Sequence, residues 1–207
     1  VNEKGGINGK QLEIIAMDEQ GDATQAVTCF TKMCDQGITA LVGDVTTTPT
    51  LAVVAESADY NMPMVTASAT ADAVTVAEDG TVYENMFRSC FIDPFQGSKM
   101  ASFASEKLSA KTAAVLYNTG SDYSIGCAEA FQEQAAAMGM EVVAVESYAD
   151  GATEFQSQLT NIAAKTPDVL FIPDYYSVIA LVAQQANAAG VTAPCWVPMV
   201  GTACWMW

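Results

Sequence analysis

Val42-Gly43-Asp44-Val45-Thr46-Thr47-Thr48-Pro49-Thr50 is an apolar stretch that runs into small hydroxyl residues and a proline. Further on, Met64-Val65-Thr66-Ala67-Ser68-Ala69-Thr70 repeats the pattern. Each reads as a buried strand whose C-terminal end presents hydroxyls together with free backbone N–H groups. In an open α/β sheet, ligands settle at the carboxyl ends of strands, and a helix starting there adds unpaired N–H donors and a favourable dipole. Thr48-Pro49 supplies such a start, with Thr48 as N-cap and Pro49 at the first helical position, where a missing N–H costs nothing. Two such ends in succession point to small anionic groups as ligands.

The pattern extends in both directions. The spacing predicts a strand over 12–17, then a helix from Asp22 to 36 opened by Asp22 and Gln25 as a capping-box pair. A strand over 38–45, a helix over 49–60 and a strand over 64–66 follow, and Asp79-Gly80 reads as a hairpin turn between 73–77 and 82–87. Asp93-Pro94 opens the next helix. A second series then runs through a strand at 113–117, a helix at 125–138, a strand at 141–145, a helix at 154–165 behind a Thr153/Gln156 capping box, a strand at 169–172 and a helix at 177–189. Such alternation predicts an α/β protein with parallel sheets covered on both faces. The extended stretch 86–91 reads as a crossing between two lobes, 1–90 and 91–207.

Composition narrows the function. The chain has 207 residues, 51% of them hydrophobic, enough for a substantial core. Eight basic against 24 acidic residues give a net charge of −16, and no Lys/Arg cluster occurs, so nucleic acid and anionic membrane surfaces are repelled. Histidine is absent, which removes Ser-His and Cys-His dyads and imidazole metal sites. Neither GxGxxG nor GxxxxGK[ST] is present, which argues against a phosphate-handling enzyme of flavodoxin-like form. No enzymatic activity, cofactor or metal is expected. No apolar run approaches the roughly 18 to 20 residues of a membrane span. Among the six cysteines there is no CxxC pair, and Cys29 and Cys34 lie about 140° apart around a helix axis, so they are read as small buried hydrophobes rather than a bridge.

The order of several motifs then resembles the periplasmic amino-acid-binding proteins of ABC transporters, of the leucine/isoleucine/valine type. The residues are Gly5-Gly6-Ile7-Asn8-Gly9-Lys10, Asp18-Glu19-Gln20-Gly21-Asp22, Val42-Gly43 with the threonines after it, Ser68-Ala69-Thr70, Phe87-Arg88 with Asp93 and Gln96-Gly97, Asp122-Tyr123-Ser124-Ile125-Gly126, and Pro167-Asp168 with Asp174-Tyr175-Tyr176. The resemblance implies a two-lobed type I periplasmic-binding-protein fold, incomplete at both ends, with the ligand in the inter-lobe cleft. It implies that the Thr47 hydroxyl and the hydroxyls and amides of Ser68, Ala69 and Thr70 hold an α-carboxylate. Tyr123 and the loop Asp174, Tyr175 and Tyr176 would face them from the opposite lobe. The family also has an acidic ligand for the ammonium group shortly after the position of Pro194; 195–207 contain no Asp or Glu, so that role is unfilled there, and Asp174 is one residue that could pair with the ammonium. Asp18 and Asp22 read as structural residues of the first helix turn.

The implied function is capture of a free amino acid, aliphatic or branched-chain, outside the cytoplasm, in the periplasm or as a cell-surface lipoprotein. Delivery would be to an ABC transporter permease, with membrane association only through a lipid anchor or that permease. The alternative is the ligand-sensing domain of a receptor or regulator built on the same clamp.

Overall fold

Two parallel sheets joined by an extended crossing organise the computed structural model, which describes residues 1–196. The first has β1 (Leu41–Val42), β2 (Met64–Thr66) and β3 (Met86–Arg88) in that order. The second has β4 (Thr112–Asn118), β5 (Glu141–Tyr148), β6 (Val169–Phe171) and β7 (Cys195–Trp196) in the order β5-β4-β6-β7. Every pairing is parallel. The helices are α1 (Ala23–Asp35), α2 (Thr47–Tyr60), α3 (Asp93–Leu108), α4 (Asp122–Ala137), α5 (Gln156–Lys165) and α6 (Tyr176–Ala186).

In the second sheet the strands β4 and β6 are buried on both faces, which is why they read as continuous apolar runs rather than alternating ones. Val115 and Phe171 point to one face, against Ala101 of α3 and Phe131 of α4, and the Phe131 and Phe171 rings stack at 4.4 Å. Leu116 and Leu170 point to the other, against Leu159 and Ile162 of α5 and Ile179 and Val182 of α6. In the first sheet Leu41, Met64 and Met86 share one core with Phe30 of α1 and Val53 and Val54 of α2. On its opposite face Val42 is 79% exposed and Phe87 is also exposed.

Several elements differ from the sequence reading. Segment 12–17 forms no strand: Ile15 and Met17 pack on the first core, yet among the described residues β1 pairs only with β2, so no ladder receives the segment's backbone groups. The 38–45 strand contracts to Leu41–Val42, the part facing Met64 and Val65. The Asp79-Gly80 turn forms, with Gly80 at φ 85° and the Asp79 carboxylate accepting the Thr81 N–H at 2.9 Å. Its arms, however, meet only in the single bridge Val76↔Val82, and Met86–Arg88 pairs with β2 instead.

Helix starts show the same mixture. Asp22 caps α1 as read, accepting the Gln25 N–H at 2.8 Å. Helix α2 starts one residue before Thr48, with Thr46 as cap and Pro49 at the third position, still among the N–H groups that have no intrahelical acceptor. The Thr153/Gln156 box does not form. Gln185 of α6 takes its place, accepting the Phe155 N–H at 2.7 Å and donating to the Thr153 carbonyl at 2.8 Å. Cys29, Cys34, Cys90, Cys127 and Cys195 are free thiols, of which Cys127 is fully buried and the others half-buried; Cys204 lies outside the described residues.

Candidate functional site

The site begins where β2 ends. The Thr66 hydroxyl donates to the Asp44 carbonyl at 2.8 Å and accepts the N–H groups of Ser68 and Ala69 at 3.3 and 3.1 Å. Ser68 Oγ donates to the Val45 carbonyl at 2.6 Å, tying the loop to the segment between β1 and α2. From β3, Arg88 donates to the Ala71 carbonyl at 2.6 Å and to the Thr75 hydroxyl at 3.2 Å. The loop is therefore held on both sides. This corrects the expectation of free amides, because those of Ser68 and Ala69 are engaged by Thr66. The Thr47 N–H, at the start of α2, meets the Tyr175 phenol, and the Thr70 hydroxyl lies beside the Asp93 carboxyl. Thr47, Ala69 and Thr70 are all buried.

The second sheet contributes the opposite wall. Tyr123, in the first turn of α4, is buried, stacks on Tyr175 at 5.2 Å and accepts a hydrogen bond from Gln96 Nε2 at 3.1 Å. The Tyr175 phenol, pushed up to about 12 chiefly by burial, stands against the Thr47 backbone amide. The structure thus brings Thr47, Tyr123 and Tyr175 together across the two sheets. Asp174 has both carboxylate oxygens engaged: the Tyr148 hydroxyl at the end of β5 donates to Oδ2, and the Tyr175 N–H donates to Oδ1 at 2.6 Å. Burial raises its pKa. It tethers the loop after β6 to the end of β5. Tyr176 is 77% exposed at the start of α6.

Two residues that the sequence reading used only as family markers stand at this junction. Asp93 opens α3, and its N–H donates to the Thr70 carbonyl at 3.0 Å. Its Oδ1 accepts the Cys127 thiol at 3.6 Å, whereas Oδ2 is buried without a partner. Burial pushes its pKa up to about 6, although the nearby Thr70 hydroxyl favours the ionised form without closing a hydrogen bond to Oδ2. One turn on, Gln96 Oε1 is also buried without a partner. An acidic residue before a proline at a helix start reads as a helix-dipole residue, so only the tertiary structure sets Asp93 apart.

Asp44 is likewise pushed up to about 6 by burial, with Glu19 adding to the shift. For both carboxyls the folded pKa lies above the ordinary value, so the folded state binds more protons between roughly pH 4 and 6. Stability of the unliganded protein is expected to fall as pH rises through that window. A melting temperature higher at pH 5 than at pH 7 checks this.

A groove of about 350 Å³ runs between the loop after β2 and α4, with Asp72, Asp93, Asp122, Glu129 and Glu133 in its walls. Among the described residues no group of three or more Cys, Asp and Glu side chains is placed to hold a metal ion. Nor is any described helix long and apolar enough to cross a membrane.

Parallel sheets flanked by helices, with hydroxyl-bearing strand ends at their junction, define a binding protein of the type I clamp architecture. The chain belongs to the periplasmic binding protein family, whose model matches residues 1–206. It is 28% identical over 193 residues to the leucine-, isoleucine-, valine-, threonine- and alanine-binding protein of Pseudomonas aeruginosa, covering 93% of this chain and 50% of that one. With the Leu/Ile/Val-binding protein of Escherichia coli it shares 26% over 191 residues, covering 92% and 51%. Among solved structures, the leucine-binding protein LivK of Thermotoga maritima superposes with a TM-score of 0.86 at 31% identity, covering 95% of this chain and 55% of that one. LivJ of Streptococcus pneumoniae, solved with isoleucine, superposes with a TM-score of 0.83 at 32% identity, covering 95% and 54%. The chain thus spans about half the length of the curated relatives it matches.

Proposed function

We propose that the protein captures a free amino acid, aliphatic or branched-chain, between its lobes, without chemical change, and delivers it to an ABC transporter permease outside the cytoplasm. The observation that supports the reading is the Thr47 amide at the start of α2 meeting Tyr175, itself stacked on Tyr123, across the two sheets. Hydroxyls and amides suit a carboxylate, and the aromatic wall suits an apolar side chain. The names of the relatives that bind leucine, isoleucine and valine support the same class of ligand.

Screening the full-length chain against the twenty amino acids by thermal shift tests the proposal. A ligand at 100-fold excess over Kd stabilises by about 2.7 kcal/mol. A shift with a sugar or nucleotide and with no amino acid overturns it. Thr70→Ala should weaken binding by about tenfold, through loss of a hydrogen bond to a charged group, and Thr70→Ser by much less. Calorimetric titration reads the difference.

A further inference from the structure

Tyr175 is held from two sides. Its N–H donates to Asp174 Oδ1 at 2.6 Å, which fixes the backbone of the loop after β6, and its ring lies on Tyr123 at 5.2 Å with the planes 23° apart. Tyr123 in turn has its hydroxyl held by Gln96 Nε2 at 3.1 Å. The aromatic wall therefore reaches back to the start of α3. That helix start also meets the opposite wall of the site, since the Asp93 N–H donates to the Thr70 carbonyl at 3.0 Å. Gln96 comes within reach of Tyr123 because its neighbour Gly97 lets α3 lie close against α4, where any Cβ would sit 2.4 Å from the Cys127 carbonyl oxygen.

For stability alone, glutamine is a poor choice at this place. Gln96 is 5% exposed and its Oε1 is buried without a partner, and a buried amide left half satisfied is less favourable than an apolar side chain of the same length. A methionine would fill the space without that penalty. What the amide supplies is direction. A ring held only by stacking can turn and slide, whereas a hydrogen bond to its hydroxyl fixes where the far end of the ring stands. We propose that Gln96 is a positioning residue of the aromatic wall: it fixes Tyr123, and through the ring stack Tyr175, and so limits the size of the ligand side chain that the wall admits. The inference rests on the amino-acid reading above.

Calorimetric titration of the full-length chain with leucine and with phenylalanine tests this, with a urea midpoint measured for each protein. If the thermal-shift screen selects another amino acid, that one replaces leucine and one with a larger side chain replaces phenylalanine. Gln96→Met keeps the length of the side chain and removes the donor. It is expected to weaken leucine about two- to tenfold, the range for one neutral hydrogen bond, and to weaken phenylalanine less or not at all. The preference for leucine over phenylalanine therefore narrows, while the urea midpoint stays the same or rises. A residue that only fastened α3 to α4 would do the reverse, lowering the midpoint and keeping the preference. The preference decides: if it is unchanged in Gln96→Met, whatever the midpoint, the proposal is overturned and the amino-acid reading stands. A wild-type chain that binds no amino acid removes both.

A second variant approaches the contact from its other side. Tyr123→Phe keeps the ring and removes the hydroxyl that Gln96 holds. It should narrow the same preference, and Gln96→Met added to it should change neither affinity further, because the contact is already gone. Independent, additive effects would mean that Gln96 reaches the site by another route, and they overturn the assignment. Near-UV circular dichroism reads the ring without any ligand. Gln96→Met should alter the tyrosine signal of the wild-type chain and leave that of Tyr123→Phe as it is. A wild-type signal that does not respond to Gln96→Met also overturns the proposal, since the ring would then stand in place without the amide.

Discussion

Gly97→Ala is expected to destabilise the protein by about 2 to 3 kcal/mol, although alanine favours a helix over glycine by about 1 kcal/mol. Gly97 is buried in α3 where that helix crosses α4. A Cβ placed there would lie 2.4 Å from the Cys127 carbonyl oxygen, 2.9 Å from Phe131 N and 2.9 Å from Ala130 Cβ. Two of these are backbone atoms, so no rotamer change relieves the overlap and the helices have to separate. Separation would pull Phe131 from its stack on Phe171 and Cys127 from the Asp93 carboxylate. Urea unfolding measures the loss, with Ser98→Ala, one residue along and half-buried, expected to stay within about 0.5 kcal/mol. A neutral Gly97→Ala would mean that the two helices can part without cost. Because α3 also carries Asp93 and Gln96, even a surviving Gly97→Ala protein should bind ligand more weakly.

The second sheet was legible in the sequence because its strands β4 and β6 are buried on both faces, so that a run such as Ala113-Ala114-Val115-Leu116 is continuously apolar. The first sheet was less so. Segment 12–17 has the residues of a strand, but a strand needs a neighbour, and that is a property of the assembled sheet rather than of the segment. The Thr153/Gln156 pair failed for a similar reason, since Gln185 from a distant helix supplies a better partner than local capping does. At the site, Thr47 and Thr70 stand in hydroxyl-rich strand ends that are visible in sequence, whereas Tyr123 and Tyr175 were named through the resemblance to the family. Thr66 could not, because a threonine inside a strand reads as β-propensity while its hydroxyl in fact takes two loop amides. Asp44, Asp93 and Gln96 carry buried acceptors without donors, which no spacing reveals.

Tyr148→Phe is expected to cost about 1.5 to 3 kcal/mol, the range for a hydrogen bond to a charged group, because the lost hydroxyl serves the buried Asp174 carboxylate. Asp174 would keep the Tyr175 N–H as its donor, and its pKa, already raised by burial, would rise further. A folded pKa above the unfolded value means that the penalty falls on the ionised form. The destabilisation should therefore be larger at pH 7.5 than at pH 5, and a pH series of urea midpoints reads the slope. In Tyr148→Phe/Asp174→Asn the two losses should sum to more than the double variant's, since both single variants break the same contact. Equal, additive losses at every pH would show that the pair is not coupled. The pair also decides what Asp174 does for a ligand. If it tethers the loop that carries Tyr175 to the end of β5, Asp174→Asn should weaken leucine and 4-methylpentanoate, which is leucine without its ammonium group, alike, because the wall loosens for both. If it met the ammonium directly, only leucine would suffer. The donors already on both of its oxygens favour the first outcome.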